Sequence, residues 1–187
     1  FSSRRRHTRF RNVTGVQTCA LPISTKWYVA LAGDQQILNA AWLSLQIAAM
    51  TATGATIVGT LAGYVMAGFR RFRGRTLFSG LLLAPLVMPE VIMGISMLLL
   101  FVGMEQLIGW PRGRGVLTIT LSHITFCLCF VAVIVQSRLA DMDQSIEEAA
   151  MDLGARPVTV FFLVTLPQLV PALAAGWLLS FSLSLDD

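Results

Sequence analysis

Lysine is almost missing from this chain: Lys26 is the only one in 187 residues. A nucleotide-binding loop of the form Gly-x-x-x-x-Gly-Lys-Ser/Thr needs that side chain on the phosphates, and no such stretch occurs, so this chain is not an ATPase of that kind. Gly-x-Ser-x-Gly and His-Glu-x-x-His are absent too, which leaves serine-hydrolase and zinc-peptidase chemistry without support. Charge of either sign is scarce, at 13% of residues. Cysteine is scarce as well. Cys19 lies in an anomalous opening stretch, while Cys127 and Cys129 stand two apart in an apolar run. On a helix that spacing turns them about 200° apart, so they cannot share a ligand and read as small packing residues.

What is abundant is hydrocarbon: 55% of the residues are hydrophobic and the mean hydropathy is +0.70. A helix of about 20 apolar residues crosses a bilayer core of about 30 Å, and the chain holds several such runs. The class they define is an all-α polytopic membrane protein, because helices satisfy their own backbone in lipid. The net charge of +4 is misleading. Arg4, Arg5, Arg6, Arg9 and Arg11 fall in residues 1–23, which carry no acid. The other nine bases and ten acids leave −1, so the basic pI is no sign of a nucleic-acid partner. Residues 1–23 lack the apolar core of a signal peptide. They resemble a translated sequencing-adapter read and are treated as a non-native or disordered segment, apart from the domain at 24–187.

Four spans are expected. The first runs from about Leu38 to Gly68 and contains Gly59-Thr-Leu-Ala-Gly63, where small residues four apart admit a second helix closely. The arginine-rich turn Arg70–Arg75 follows. The second span runs from about Leu77 to Met104 and includes Pro85, Pro89 and Glu90; Pro89 is expected to kink it. The third covers about Val116 to Val135, and the fourth starts near Pro167 and continues to Leu185. Arg70, Arg71, Arg73, Arg75, Arg138 and Arg156 lie on one side, and Lys26, Arg112 and Arg114 on the other, so the side with six is cytoplasmic. Both ends of four spans then lie outside. The simplest account is a domain truncated at both ends, with six spans in its complete form.

Between spans three and four the chain reads "SIEEAAMDLGARPVTVFFLVTLP", residues 145–167, and five of the ten acids lie in or just before it. Asp141 or Asp143 can cap a helix start, and Glu147 and Glu148 suit its positive end. Ala149 and Ala150 make a smooth face, Gly154 suits the left-handed position past a helix end, and Pro157 suits the first turn of the next helix. "VTVFFLVTL" is expected to be that second helix, lying along the membrane face, with Pro167 and Pro171 leading into the last span. The result is a helix-turn-helix over 139–167 on the cytoplasmic side. Physics alone leaves two readings of it open, a solvated loop and a docking element.

The spacing of Glu148, Ala149, Ala150, Gly154, Val164, Leu166 and Pro167 resembles the EAA motif of ABC-importer permeases, with Val164 where isoleucine is usual. "APLVMPEVIMGISMLLLF", "SHITFC" and "GWLLSFSLSLDD" extend the resemblance to the putrescine and spermidine permeases over roughly residues 25–187. It implies a type-1 ABC-importer transmembrane domain in the bacterial inner membrane, surrounded by lipid. It also implies a second permease subunit, a cytoplasmic ATPase dimer that binds ATP and magnesium, and a periplasmic polyamine-binding protein. No cofactor is expected in this chain. The seven motif residues would couple the permease to the ATPase.

Intramembrane acids are functional candidates by default. Glu90 lies about 21 Å of helix from the arginine turn, past mid-membrane, and Asp186 about 28 Å beyond Pro167. Asp186 and Asp187 close a helix at its negative end and call for a cationic partner. The three acids are the expected path for a polyammonium substrate, with putrescine or a related polyamine the implied cargo. His123 reads first as an interhelical hydrogen-bonding group. Trp27, Tyr28, Trp42, Trp110 and Trp177 read as interface anchors or packing residues. The alternatives are an ABC permease for another small solute and an ion-coupled secondary transporter with Glu90 as its ion site.

Overall fold

The computed structural model describes residues 33–69 and 71–186. Asp187, Arg70, Lys26, Trp27, Tyr28 and Cys19 lie outside the described residues. The chain divides into two units, residues 1–39 and 40–187. Of the first, residues 33–39 are described; there Asp34 Oδ1 accepts the Gln36 backbone N–H at 2.9 Å and so caps the helix that starts at Gln35.

Among the described residues, seven α-helices are labelled in order: α1 Gln35–Gly68, α2 Arg75–Val87, α3 Glu90–Ile108, α4 Val116–Ala140, α5 Gln144–Asp152, α6 Pro157–Val160 and α7 Leu166–Asp186. A π-helical turn, Phe161–Thr165, joins α6 to α7. Among the described residues, four helical runs are long and apolar enough to cross a membrane: Gln35–Gly68, Glu90–Ile108, Val116–Ala140 and Pro157–Asp186.

The centre of the second unit is α4. Its side chains Cys127, Val131 and Val135 are buried together with Ala55 of α1 and Leu169 of α7. Ala132, on another face, is buried with Met66 and Leu82. Glycine makes the α1–α4 contact possible. A β-carbon on Gly54 would fall 2.6 Å from Ile124 Cδ1, one on Gly59 2.7 Å from Val131 Cβ and 2.8 Å from the Leu128 carbonyl oxygen, and one on Gly63 2.7 Å from the Ala132 carbonyl oxygen. The contacts advance in the same sense along both helices, so α1 and α4 run parallel. In lipid no hydrophobic drive pulls helices together, and this close van der Waals approach replaces it.

The helix α7 runs antiparallel to α4 and is tied to it along its length. Arg138 Nε donates to the Gln168 carbonyl at 3.5 Å, Cys127 Sγ to the Ser180 carbonyl at 3.8 Å, and His123 Nδ1 meets Ser184 Oγ at 2.8 Å. Trp177 Nε1 donates to Thr53 Oγ1 of α1 at 3.2 Å. Cys127 and Cys129 are both buried in this packing and form no disulfide, and Trp177 is a packing residue that also holds a hydrogen bond.

One expectation about the spans is corrected. The stretch from Leu77 to Met104 is not one kinked helix. It breaks completely, because Met88 (φ −80°, ψ 139°) and Pro89 (φ −57°, ψ 137°) are both extended, so α2 ends and α3 starts afresh. The ring of Pro89 disfavours helical geometry at Met88 and offers no N–H to the ladder. The last long helix, α7, starts at Leu166, next to the expected Pro167, and it continues without a break from α6 through the π turn, so the segment 157–186 is helical throughout with Pro167 and Pro171 inside it. The π turn explains the tolerance: Leu166 N–H reaches back five residues to the Phe161 carbonyl, and the ladder is re-registered immediately before the residue that has no N–H to give.

Candidate functional site

The loop between α4 and α7 is held by local chemistry at both ends of α5. Asp143 is the N-cap, and its carboxylate accepts the Ser145 backbone N–H at 3.0 Å. That hydrogen bond, followed by one from the Ser145 side chain, holds the Asp143 carboxyl below the usual carboxylate range. At the other end Gly154 has φ +87°, its N–H donates to the Met151 carbonyl at 2.9 Å, and the Ala155 N–H donates to the Ala150 carbonyl at 3.2 Å. This pair of bonds is the Schellman closure, which satisfies carbonyls a helix end otherwise leaves open. Arg156 then precedes Pro157, which stands at the first turn of α6.

The faces of α5 differ. Glu148 and Ala149 are exposed, and Ala150 is half-buried. Glu147, half-buried, turns the other way and accepts a hydrogen bond at Oε1 from the Thr165 hydroxyl. Thr165 belongs to the π turn and is 1% exposed. Phe161, the first residue of that turn, meets Tyr64 of α1 edge-on with ring centroids 5.0 Å apart. A cavity of about 350 Å³ at the arginine-bearing end is lined by Tyr64, Arg75, Gln136, Asp143 and Glu147, among others. Of the remaining motif residues, Val164 and Leu166 are half-buried in the π turn and at the start of α7, and Pro167 is exposed. Ala149 and Glu148 are thus presented outward, while Val164 and Leu166 are half-buried.

The expected path residues are placed separately. Glu90 opens α3 and lines a cavity of about 320 Å³ with Met93, Met97, Ser122, His123 and Phe126. It therefore lies at the level of His123 and Phe126, just outward of the middle of α4. As the first residue of α3 it sits at the positive end of a helix, where a carboxylate is favoured by about 0.3–1 kcal/mol or more. The break at Met88–Pro89 creates that position. An adjoining cavity of about 220 Å³ shares Gly94, Ser122 and His123 and extends to Phe101, Arg114 and Thr118. Asp186, exposed at the end of α7, lines neither cavity and is not brought together with Glu90. Between them stands His123, which faces Glu90's cavity and holds Ser184, two residues before Asp186. Asp187 lies outside the described residues.

Sequence reasoning passed over Thr165 and gave Glu147 no role beyond the helix dipole. A threonine amid "FFLVTL" carries no signal by itself. The clue was periodic: Glu147 lies one position off the Glu148–Ala149 face, so the two acids cannot point the same way.

Residues 59–187 match the family described as binding-protein-dependent transport system inner membrane component. The Escherichia coli K12 protein named "Putrescine transport system permease protein PotI" is 57% identical over 164 residues, which cover 88% of this chain and 58% of that protein. The E. coli K12 "Spermidine/putrescine transport system permease protein PotC" is 44% identical, over 88% of this chain and 60% of that protein. A Mycoplasma pneumoniae homologue of PotC is 29% identical, over 70% of this chain and 44% of that protein. The chain thus spans less than two thirds of the length of these relatives. With four membrane-length helices, α4 central among them, and a family match over more than half its residues, the chain belongs to the binding-protein-dependent transport system inner membrane components, and its fold is that of a type-1 ABC-importer transmembrane domain.

Proposed function

We propose that this chain is a permease subunit of an ATP-driven importer and forms part of the translocation path for putrescine or a closely related polyamine. One observation carries the reading: a nine-residue helix on the arginine-rich side, fixed by Asp143 at its start and by the Gly154 closure at its end, presents Glu148 and Ala149 outward. A short helix with nearly bare alanines admits another protein surface at close range, and its two fixed ends let it transmit force instead of fraying. Glu148, Ala149, Ala150 and Gly154 are the engaging segment, and Val164, Leu166 and Pro167 anchor it to α7. The engine is a cytoplasmic ATPase dimer that carries ATP and magnesium. A second permease subunit completes the path, and a periplasmic polyamine-binding protein delivers the cargo.

Polyamine cargo is supported by the printed functions of PotI and PotC and by the chemistry of the cavity at Glu90. A carboxylate, a serine hydroxyl and the face of Phe126 suit an ammonium group, through charge, hydrogen bonding and cation–π attraction. Met93 and Met97 suit the methylenes between ammonium groups. Asp186 contributes negative charge at the outer end of α7, and Asp187, next in the sequence, adds a second acid to the proposed path. Two measurements in the assembled transporter test the proposal. A cysteine replacing Ala149 is expected to cross-link to the ATPase, and Glu90→Gln is expected to lower putrescine uptake while leaving assembly intact. Absence of any ATPase cross-link from positions along α5 overturns the coupling role. Undiminished uptake by Glu90→Gln removes Glu90 from the path.

A further inference from the structure

We infer that Glu147 and Thr165 form a latch that passes displacement of α5 to the π turn, and through it to α7; the inference rests on the coupling role proposed for α5. Three observations carry it. The bond joins two elements that the chain otherwise connects only through the Gly154 turn and α6: Glu147 is on α5, and Thr165 is buried 18 residues later in the π turn. The turn is a point where helix register is already displaced, with Leu166 N–H bonded to the Phe161 carbonyl, and such turns are local places where a helix can re-register. Beyond it, α7 is bound into α4 through buried Leu169 and through the Gln168 carbonyl that accepts from Arg138. A pull on Glu147 therefore arrives where α7 can respond without tearing its ladder. The outward face, Glu148 and Ala149, stays available for the partner. The two adjacent acids have separate duties: Glu148 faces outward, and Glu147 is a positioning residue.

A buried hydroxyl with no partner costs free energy, and the Glu147 carboxyl oxygen is the partner that satisfies Thr165. Tyr64, packed against Phe161 and lining the same cavity as Glu147, fixes the turn from the α1 side.

The test uses the complete transporter in proteoliposomes and reads three quantities: substrate imported per ATP hydrolysed, ATPase cross-linking from a cysteine at position 149, and assembly. Thr165→Val and Glu147→Ala are each expected to lower import per ATP by about tenfold, the upper scale of one lost hydrogen bond. Cross-linking and assembly are expected to stay at the parental level. Thr165→Ser, which keeps the hydroxyl, is expected to retain full coupling. The double variant is expected to match either single one, because both remove the same bond. Unchanged import per ATP in the single variants overturns the latch, and so do losses that add in the double variant. Should Thr165→Val fail to assemble, Glu147→Ala decides alone, since alanine is well tolerated on a half-exposed helix. Absence of cross-linking in the parent overturns the coupling role itself, whereas normal cross-linking with undisturbed stoichiometry overturns only the latch.

Discussion

Replacing Gly154 by alanine isolates one physical effect at the proposed coupling site. A β-carbon there meets nothing within 4 Å, so no collision contributes. What remains is the backbone: φ is +87°, a conformation that costs an L-residue about 1–2 kcal/mol. The helix end can relieve that strain by abandoning the left-handed turn, which sacrifices the bonds from Gly154 to Met151 and from Ala155 to Ala150. A shift of this size changes the ratio of closed to opened turn by roughly 5- to 30-fold. The assay is amide hydrogen exchange at Met151–Ala155 in detergent-solubilised transporter, read beside uptake in proteoliposomes. Gly154→Ala is expected to speed exchange in that segment by roughly 5- to 30-fold and to lower uptake. Gly80→Ala is the control, because Gly80 lies within helix α2 with equally open space and an ordinary backbone. Alanine favours a helix interior, and this variant is expected to keep normal exchange and uptake. If the two variants behave alike, the left-handed turn is not what holds α5 in place, and the reasoning fails.

Three other outcomes follow from the geometry. Gly59→Leu forces α1 from α4, where even a β-carbon lies 2.7 Å from Val131 Cβ, and is expected to destabilise the fold by about 1–3 kcal/mol, seen as a lower thermal midpoint in detergent. Acid weakens the start of α5: Asp143's folded carboxyl titrates below its ordinary value, so its stabilisation is present above the ordinary carboxylate range and is lost as pH falls through the depressed value. Amide exchange at Ser145 is expected to rise on that descent, and Asp143→Asn, which caps without titrating, is expected to flatten the dependence. Pro89→Ala restores an N–H and relaxes Met88, and is expected to extend helix across the break and lower uptake by displacing Glu90, with spin-label distances between α2 and α3 as the measure.

Much of the fold was legible because apolar run length and glycine spacing are local signals with direct structural causes. Gly59 and Gly63 were read as a close-approach face, and α4 sits on it. Gly154 and Pro157 were read as the end of one helix and the start of the next, and both occupy those positions. Proline was harder. Pro85, Pro89, Pro167 and Pro171 look alike as letters, yet only Pro89 ends a helix; Pro85 and Pro171 lie inside theirs, and the π turn absorbs Pro167. Whether a helix breaks or adjusts depends on the neighbours that fix each backbone, and those are tertiary. The pairing of Glu147 with Thr165 was out of reach for the same reason, since no periodicity links a residue on α5 to one in a π turn.

The cavity at Glu90 also bears on how selectivity is shared. Its carboxylate is exposed although it lies beside the middle of a membrane-length helix, and an ionised acid facing lipid there costs several kcal/mol. Some other polar surface has to close that open side. Under the proposed permease function the basin on this chain is half a mould, and the shape a passenger must fit is decided jointly with the surface that closes it. Exchanging the facing wall while this chain stays unaltered should therefore change which cations pass.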